Sequence, residues 1–149
     1  MGMFDAFNIN ASGLTAQRYR MDIISENVAN ANTTRTEDGT PYRRKVVTFT
    51  EKNEGVSFGN VFKTASDRYT GSGVKVDAVY EDTWTEMNKV YDPSHPDADE
   101  NGYVLYPNVN IVTEMTNLID ASRAYEANAT AFTASKSMAQ QGLNVGKQA

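Results

Sequence analysis

Cysteine is absent from this chain of 149 residues, and histidine and tryptophan occur once each. Without cysteine there is no disulfide framework and no thiolate metal site. His95 lies between two prolines in the stretch DPSHPDAD, and no second histidine is available to complete a zinc site with it. The sequence therefore predicts a loop position for His95, no bound metal and no cofactor.

Basic residues are in the minority. Lys and Arg number 14 against 19 Asp and Glu, which gives a formal net charge of -5 and a pI near 4.8. A protein that binds nucleic acid needs a basic surface to displace the counterions condensed on the phosphates. The longest basic run, Arg43-Arg44-Lys45, leads directly into a strand-like segment. We therefore expect no nucleic-acid partner.

Long apolar runs are also missing. No stretch approaches the roughly 20 apolar residues of a transmembrane helix. The first ten residues, MGMFDAFNIN, lack the basic start and the uninterrupted apolar segment of a secretory signal peptide. If the protein leaves the cytoplasm, the sequence predicts another export route.

Apolar residues recur every seven positions at both ends of the chain, and this repeat is missing from the middle. Such spacing forms a narrow stripe along a helix, as in a coiled-coil seam. We predict one helix over about residues 4–31 and another from Asn108 or Asn110 to about Val145, paired antiparallel. The predicted intramolecular seam consists of Phe7, Leu14, Met21, Val28, Ile111, Leu118, Tyr125 and Phe132.

The other faces of both helices indicate contacts with neighbouring molecules. Between Asn108 and Gly146 only five of 39 residues are charged, fewer than a solvated helix would carry. Burying the seam between two helices hardly offsets the loss of conformational entropy when the helices become ordered. We therefore expect both ends to be largely disordered in the isolated chain. Predicted contacts between subunits are Ile9, Ile23, Ala124, Ala131 and Met138.

The middle of the chain changes to a two-residue rhythm. Apolar side chains follow a strand-like pattern at residues 45–50 (KVVTFT) and 74–81 (VKVDAVYE). Asn101-Gly102 is a preferred pair for a tight hairpin turn. Residues 51–73 are predicted to form a mobile excursion, with a short strand possible at 56–62. The predicted fold class is α+β, with domains at 1–34 (helix), 35–107 (small antiparallel β domain) and 108–149 (helix).

Several acidic residues partly match a calcium-binding loop or a pair of catalytic carboxylates, but neither pattern is complete. Asp97, Asp99 and Asn101-Gly102 match the opening of a calcium loop, but Asn108 stands at the twelfth position, where a bidentate glutamate is needed. The carboxylate pairs Glu81/Asp82 and Asp97/Asp99 could serve a glycan hydrolase only if they shared a pocket. The sequence predicts no catalytic residues, no cofactor-binding or metal-binding residues and no small-molecule substrate.

The stretch SGLTAQRYRMDIISENVANANTT (12–34) resembles the N-terminal signature of the bacterial flagellar rod and hook proteins. Within it, Ser25, Asn27, Ala29 and Asn30 match the family's S-x-N-x-A-N core. Residues 108–139 resemble the matching C-terminal domain, including its S-R-x-Y-x-A-N stretch at 122–128. YDPSHPDADENGYVLYPNVN (91–110) further resembles the short proximal members of the flagellar basal-body rod protein family.

This resemblance implies a non-enzymatic axial subunit whose terminal helices pair and whose copies stack into the rod that crosses the cell envelope. Implied partners are the protein itself, other rod subunits and the flagellar type III export apparatus. Two alternatives stay open at this point: another axial subunit of the rod or hook, and an enzyme that acts on cell-wall glycan.

Overall fold

Six regular elements make up the computed structural model, which describes residues 3–52 and 71–148. They are α1 (Met3–Ala29), β1 (Lys45–Glu51), β2 (Val74–Glu81), β3 (Asn88–Tyr91), β4 (Tyr103–Tyr106) and α2 (Ile111–Gln148). β1 pairs with β2 and β3 pairs with β4, in two separate two-stranded sheets. Two long helices with small antiparallel sheets between them confirm the predicted α+β class.

α1 ends where its sequence turns to asparagine and threonine. After the last regular bond, Asn30 N to Glu26 O at 3.0 Å, the N–H of Ala31 bonds to Val28 O and that of Thr33 to Asn30 O, each three residues back. The Asn30 side chain also donates to Glu26 O. Asparagine side chains compete for backbone groups in this way, which explains why the helix ends close to the predicted residue 31.

α2 begins at a capped turn and runs to the end of the described chain. The side chain of Asn110 accepts a hydrogen bond from the N–H of Thr113 at 3.1 Å, which confirms the predicted cap. The helix continues through Gly142 and Gly146 to Gln148. It therefore extends three residues beyond the predicted end near Val145, and the glycines do not stop it because one glycine costs a helix only about 1 kcal/mol relative to alanine.

The sequence predicted β1 and β2 but missed β3. β3 is exposed throughout, so no alternation of apolar and polar residues marks it. It pairs antiparallel with β4 in the register Asn88 to Tyr106 and Tyr91 to Tyr103. Residues 92–102 connect the two strands, so Asn101-Gly102 is not the predicted two-residue hairpin turn. Gly102 instead closes this longer loop at φ +79, with its N–H bonded to Asp99 O.

Contacts divide the chain into two compact units that cut across the regular elements. Of the described residues, the first unit contains 3–19, 49–52, 71–77 and 122–148, and the second contains 20–48 and 78–121. The domain boundaries at 34 and 107 stay a prediction. Most of the predicted excursion at 51–73, and the candidate strand at 56–62 within it, lie outside the described residues.

The first unit joins the two helices antiparallel. The rings of Phe7 and Phe132 meet edge to face with centroids 5.2 Å apart. A Cβ placed on Gly13 would approach the side chain of Asn128 at 2.8 Å, so the α1 backbone comes close to α2 here. Ser12 Oγ accepts the N–H of Val74 at 3.1 Å, which attaches the start of β2 to α1.

The second unit has a small apolar core beside many polar groups. Ala31, Tyr42 and Val109 form a buried cluster, and Val104 of β4 and Ala121 of α2 are fully buried. The strands and turns of this unit place polar side chains between the end of α1 and the start of α2. Those side chains are the most distinctive feature of the molecule.

Candidate functional site: a buried polar cluster

Six polar side chains meet in the second unit, and we call them the polar cluster: Asn27, Tyr42, Arg44, Asp82, Asn108 and Glu114. Asn27 and Glu114 are each only 1% exposed. Burying a polar group is costly unless hydrogen bonds replace its contacts with water. The arrangement of those bonds therefore shows what the cluster does.

Asn27, in the last turn of α1, uses its whole side chain. Its Oδ1 accepts hydrogen bonds from the hydroxyl of Tyr42 at 2.9 Å and from the N–H of Lys45 at 2.8 Å. Its Nδ2 donates to Lys45 O at 2.9 Å and to Glu114 Oε2 at 3.0 Å. Because the amide bonds both backbone groups of Lys45, it stands in for a neighbouring strand at the start of β1.

Glu114, in the first turn of α2, holds a buried negative charge. Its Oε1 accepts hydrogen bonds from Arg44 Nε at 2.9 Å and Nη2 at 2.8 Å. Asn117 Nδ2 donates to the same oxygen at 3.3 Å. A buried carboxylate needs such a cation, since removing one partner of a buried pair costs about 3–5 kcal/mol.

Asn108 joins β1 to the segment that follows β2. Its Oδ1 accepts the N–H of Arg44 at 2.9 Å, and its Nδ2 donates to Asp82 O at 2.9 Å and to Thr85 O at 3.3 Å. We predicted Asn108 as a possible helix cap. The structure gives that role to Asn110 and makes Asn108 a bridge between backbone segments.

Asp82 closes the cluster at the end of β2. The backbone N–H of Thr85 at 3.0 Å and its hydroxyl at 2.8 Å, followed by the N–H of Trp84, hold the pKa of this carboxyl below its ordinary value. Arg44, whose Nη1 lies 3.8 Å away, acts in the same direction. Asp82 is therefore ionised at neutral pH and fixes the turn that contains Trp84.

Tyr42 stays a hydrogen-bond donor. Burial, and then the negative charges of Glu26, Glu81 and Glu114, raise the pKa of its phenol far above the ordinary value. The Lys45 ammonium lies 5.6 Å from the centre of its ring. The phenol is therefore neutral at pH 7, and its hydroxyl donates to Asn27 Oδ1.

The cluster offers structure rather than reactive chemistry. Its members bond one another and the backbone at the start of β1 and just after β2. Across residues 3–52 and 71–148, no group of three or more histidine or acidic side chains could hold a metal ion. Within the same ranges, no helix is both long and apolar enough to span a membrane.

The predicted seam residues differ in how deeply their side chains are buried. Phe7 and Phe132 are in contact, and Leu14, Met21, Val28 and Leu118 are half-buried. Ile111 and Tyr125 are exposed. The most buried apolar side chains of the helices are instead Ala16, Ile24 and Ala121. Membership of an intramolecular seam stays a prediction for the eight residues as a set.

The predicted contacts between subunits are divided as well. Ile9, Ile23 and Ala124 are half-buried, whereas Ala131 and Met138 are exposed. Further exposed apolar side chains on α2 that we had not assigned to such contacts are Val112, Met115, Ile119, Leu143 and Val145. These residues lie on a helix with few charges.

The acidic residues and the histidine in the loop between β3 and β4 form hydrogen bonds that stabilise the loop. Asp97 Oδ2 accepts the hydroxyl of Thr34 at 2.8 Å, and Asp99 Oδ1 accepts the N–H groups of Asn101 and Tyr103. The backbone N–H of Tyr103 contributes most to a lowered pKa of Asp99. His95 Nδ1 accepts the N–H of Asp97 within the same loop. Asp97 and Asp99 line one pocket together with Arg35 and Lys89, and each carboxylate is bonded to a side chain or to the backbone in and around the loop.

Sequence reasoning found Asn27 through a motif but missed its partners. Of the other motif residues, Ser25 bonds the carbonyl of Met21, Asn30 donates to the carbonyl of Glu26 and accepts the hydroxyl of Thr33, and Ala29 is exposed. The available signal for Glu114 was its isolation as one of five charges on a long, charge-poor helix. Nothing in the local sequence marks Arg44 as its partner 70 residues away.

The comparisons with known proteins agree with the resemblance in the sequence. Residues 7–35 match the family described as "Flagella basal body rod protein". Residues 100–145 match the family described as "Flagellar basal body rod FlgEFG protein C-terminal". The two matched regions contain most of α1, most of α2 and both Asn27 and Glu114.

Similar proteins cover nearly the whole chain. A "Flagellar basal-body rod protein FlgC" of Borreliella burgdorferi is 45% identical over 97% of this chain and 98% of its own. Proteins of the same name are 44% identical in Bacillus subtilis and 40% in Salmonella typhimurium, each over 99% of this chain and 100% of their own. With this coverage and identity, the chain belongs to the flagellar basal-body rod protein family.

Proposed function

We propose that this protein is a structural, non-enzymatic subunit of the bacterial flagellar basal-body rod, most similar to its proximal members. It polymerises through its terminal helices with copies of itself and with other rod subunits, and the assembled rod transmits torque for motility. The observation that supports this most directly is the exposed apolar surface of α2. Family membership supplies the identity of the assembly.

The exposed surface of α2 is too apolar for a helix that stays in water. Val112 is 75% exposed, Met138 66% and Val145 70%. From Ala127 to Ser135 the helix carries no charge. Single exposed apolar residues are common on monomers, but a series along one charge-poor helix is typical of a surface that is buried on association.

The proposed location is the rod within the cell envelope. The resemblance to the family implies export through the flagellar type III apparatus, directed by the N-terminal region. On this account the export apparatus is a transient partner, and rod subunits are the lasting ones.

The test replaces one exposed apolar residue of α2 and one exposed polar neighbour. Met138→Asp should leave the isolated protein folded, because this side chain is largely in water, yet exclude it from the rod by placing a charge in the buried contact. Gln140→Asp, on an exposed polar position, is the matched control and should assemble.

Both variants are expressed in a strain that lacks the wild-type protein. Purified basal bodies are examined for this chain by mass spectrometry, and swimming is scored in soft agar. We expect incorporation and swimming with Gln140→Asp and neither with Met138→Asp. Normal rods and swimming with Met138→Asp would overturn the assignment of this surface. If the wild-type protein were expressed but absent from purified basal bodies, the proposed function would be overturned.

A further inference from the structure

A seven-residue repeat leaves the alignment of two helices ambiguous. If α1 slid along α2 by seven residues, about 10 Å, apolar stripes would face apolar stripes again. Coiled coils resolve this ambiguity with a buried polar residue, since a slipped alignment leaves it without a partner. The eight predicted seam residues include no charged and no amide side chain, so another part of the molecule must select the alignment.

We infer that the polar cluster selects the alignment of α1 against α2 and so specifies a single register of the helix pair. Asn27 is the contact between the two helices in the second unit, with Nδ2 3.0 Å from Glu114 Oε2. The same amide is bonded to both backbone groups of Lys45. α1, β1 and α2 are therefore held at one point.

A slip by one repeat changes this contact in either direction. In one direction Asn27 would face Ala121, which lies seven positions after Glu114 on α2, is fully buried and has no polar side-chain atom. In the opposite direction Glu114 would face Arg20 of α1, whose guanidinium can donate to a carboxylate, so the contact with Asn27 selects against the first slip. A slip in which Asn27 faced Ala121 would separate Glu114 from its amide donor. Loss of one hydrogen bond to a buried charge shifts the equilibrium between the observed and the slipped alignment by about tenfold to hundredfold.

The first unit contains a steric feature with the same effect. Gly13 faces Asn128, which lies two repeats from Glu114 just as Gly13 lies two repeats from Asn27. Even a Cβ at position 13 would come within 2.8 Å of the Asn128 side chain. A slip by one repeat would bring Ala6 or Arg20 to this close approach, where neither side chain has room.

The consequence for assembly rests on the proposed function, whereas the register itself does not. Copies in a helical assembly must present identical faces to their neighbours. A subunit with slipped helices would present its α2 surface about 10 Å out of place. A polar cluster that excludes this state prevents misassembly without adding to the surface that neighbours bind.

Disulfide trapping tests the inference, because the natural chain has no cysteine. Phe7→Cys with Phe132→Cys reports the observed alignment. Phe7→Cys with Tyr125→Cys, or with Ala139→Cys, reports a slip by one repeat in either direction. Each pair is oxidised in dilute purified protein, and the cross-linked fraction is measured by non-reducing electrophoresis.

Each pair is measured with the natural cluster and with Asn27→Leu, Arg44→Met and Glu114→Leu combined. In this variant the apolar replacement of Arg44 and Glu114 removes a complete buried ion pair, which often preserves stability, whereas Asn27→Leu also removes partners of Tyr42 and Lys45. Only molecules that retain helical circular dichroism are therefore compared. Asn27→Ala alone is the second variant, with Glu26→Gln as control because it removes only a partly exposed ion pair to Lys45.

With the natural cluster and with Glu26→Gln, we expect the Phe132 pair to exceed the slipped pairs at least tenfold. With either cluster variant, the Ala139 pair, which reports the slip that brings Asn27 opposite Ala121, should rise at least tenfold among molecules that retain helical circular dichroism. Exclusive cross-linking of the Phe132 pair in these folded variants would overturn the inference. That result would leave rod assembly, measured in basal bodies, as a separate question.

Discussion

Asn27 shows why a single polar residue can matter more than an apolar one of the same size. All four of its bonds go to other parts of the chain, two to the backbone of Lys45 and one each to Tyr42 and Glu114. A leucine would bury more apolar surface but leave each of these groups without its partner. The motif in the sequence identified the residue, and only the structure shows what it bonds.

Also at the scale of residues, Asp82 makes stability depend on pH. Its pKa in the folded protein lies below the unfolded value of about 3.9, so its contribution is present above that pH and is lost as pH falls through the folded pKa. Thr85→Ala removes one bond to the carboxylate and should lower stability at pH 7 more than at pH 3. Thr83→Ala, at an exposed threonine two residues earlier, is the control.

Urea unfolding at pH 7, 5 and 3 measures this difference. The curves of the Thr85→Ala protein and the wild type should converge as pH falls, while those of the Thr83→Ala protein should follow the wild type throughout. In the background Asp82→Asn, the effect of Thr85→Ala should no longer depend on pH. A constant gap between Thr85→Ala and wild type from pH 7 to 3 would contradict this explanation.

At the scale of elements, the close approach of α1 to α2 depends on Gly13. Alanine gains about 1 kcal/mol over glycine inside a helix, but at this position its Cβ would displace Asn128, whose amide bonds Ala124 O at 2.9 Å. Overpacking costs about 1–3 kcal/mol, so Gly13→Ala should destabilise the protein by about 1 kcal/mol. Adding Asn128→Ala should recover that loss.

Thermal and urea unfolding measure both variants beside Gly142→Ala, where nothing lies within 4 Å of the added methyl group. Gly142→Ala should not destabilise the protein. If Gly13→Ala behaved in the same way, the close contact between the helices in the first unit would be refuted.

The elements also show how far sequence patterns reach. The seven-residue repeat predicted both helices, and alternation predicted β2, because these patterns reflect how a single element buries one side. β3 carries no such pattern, since its whole length is exposed. The polar cluster escaped prediction because its bonds join residues far apart in the chain, such as Arg44 and Glu114, and no local periodicity records them.

At the scale of the whole molecule, the sequence predicted fold class and family from the two ends of the chain. It also led us to expect that both ends are disordered in the isolated protein. Because the polar cluster anchors the end of α1 and the start of α2, we now expect these two segments to be ordered in the isolated protein. From Gln140 to Gly146 every residue of α2 is exposed, so this end has least to order it in the absence of neighbours.

We therefore infer that the protein has an anchored region around the polar cluster and a helical end that is completed by neighbouring subunits. Amide hydrogen exchange, followed by mass spectrometry on dilute protein and on purified rods, tests this claim most directly. Residues 20–29 and 111–121 should be protected in both samples. Residues 140–148 should exchange within seconds in the isolated protein and become protected in the rod. Equal, strong protection of both regions in the isolated protein would contradict the account.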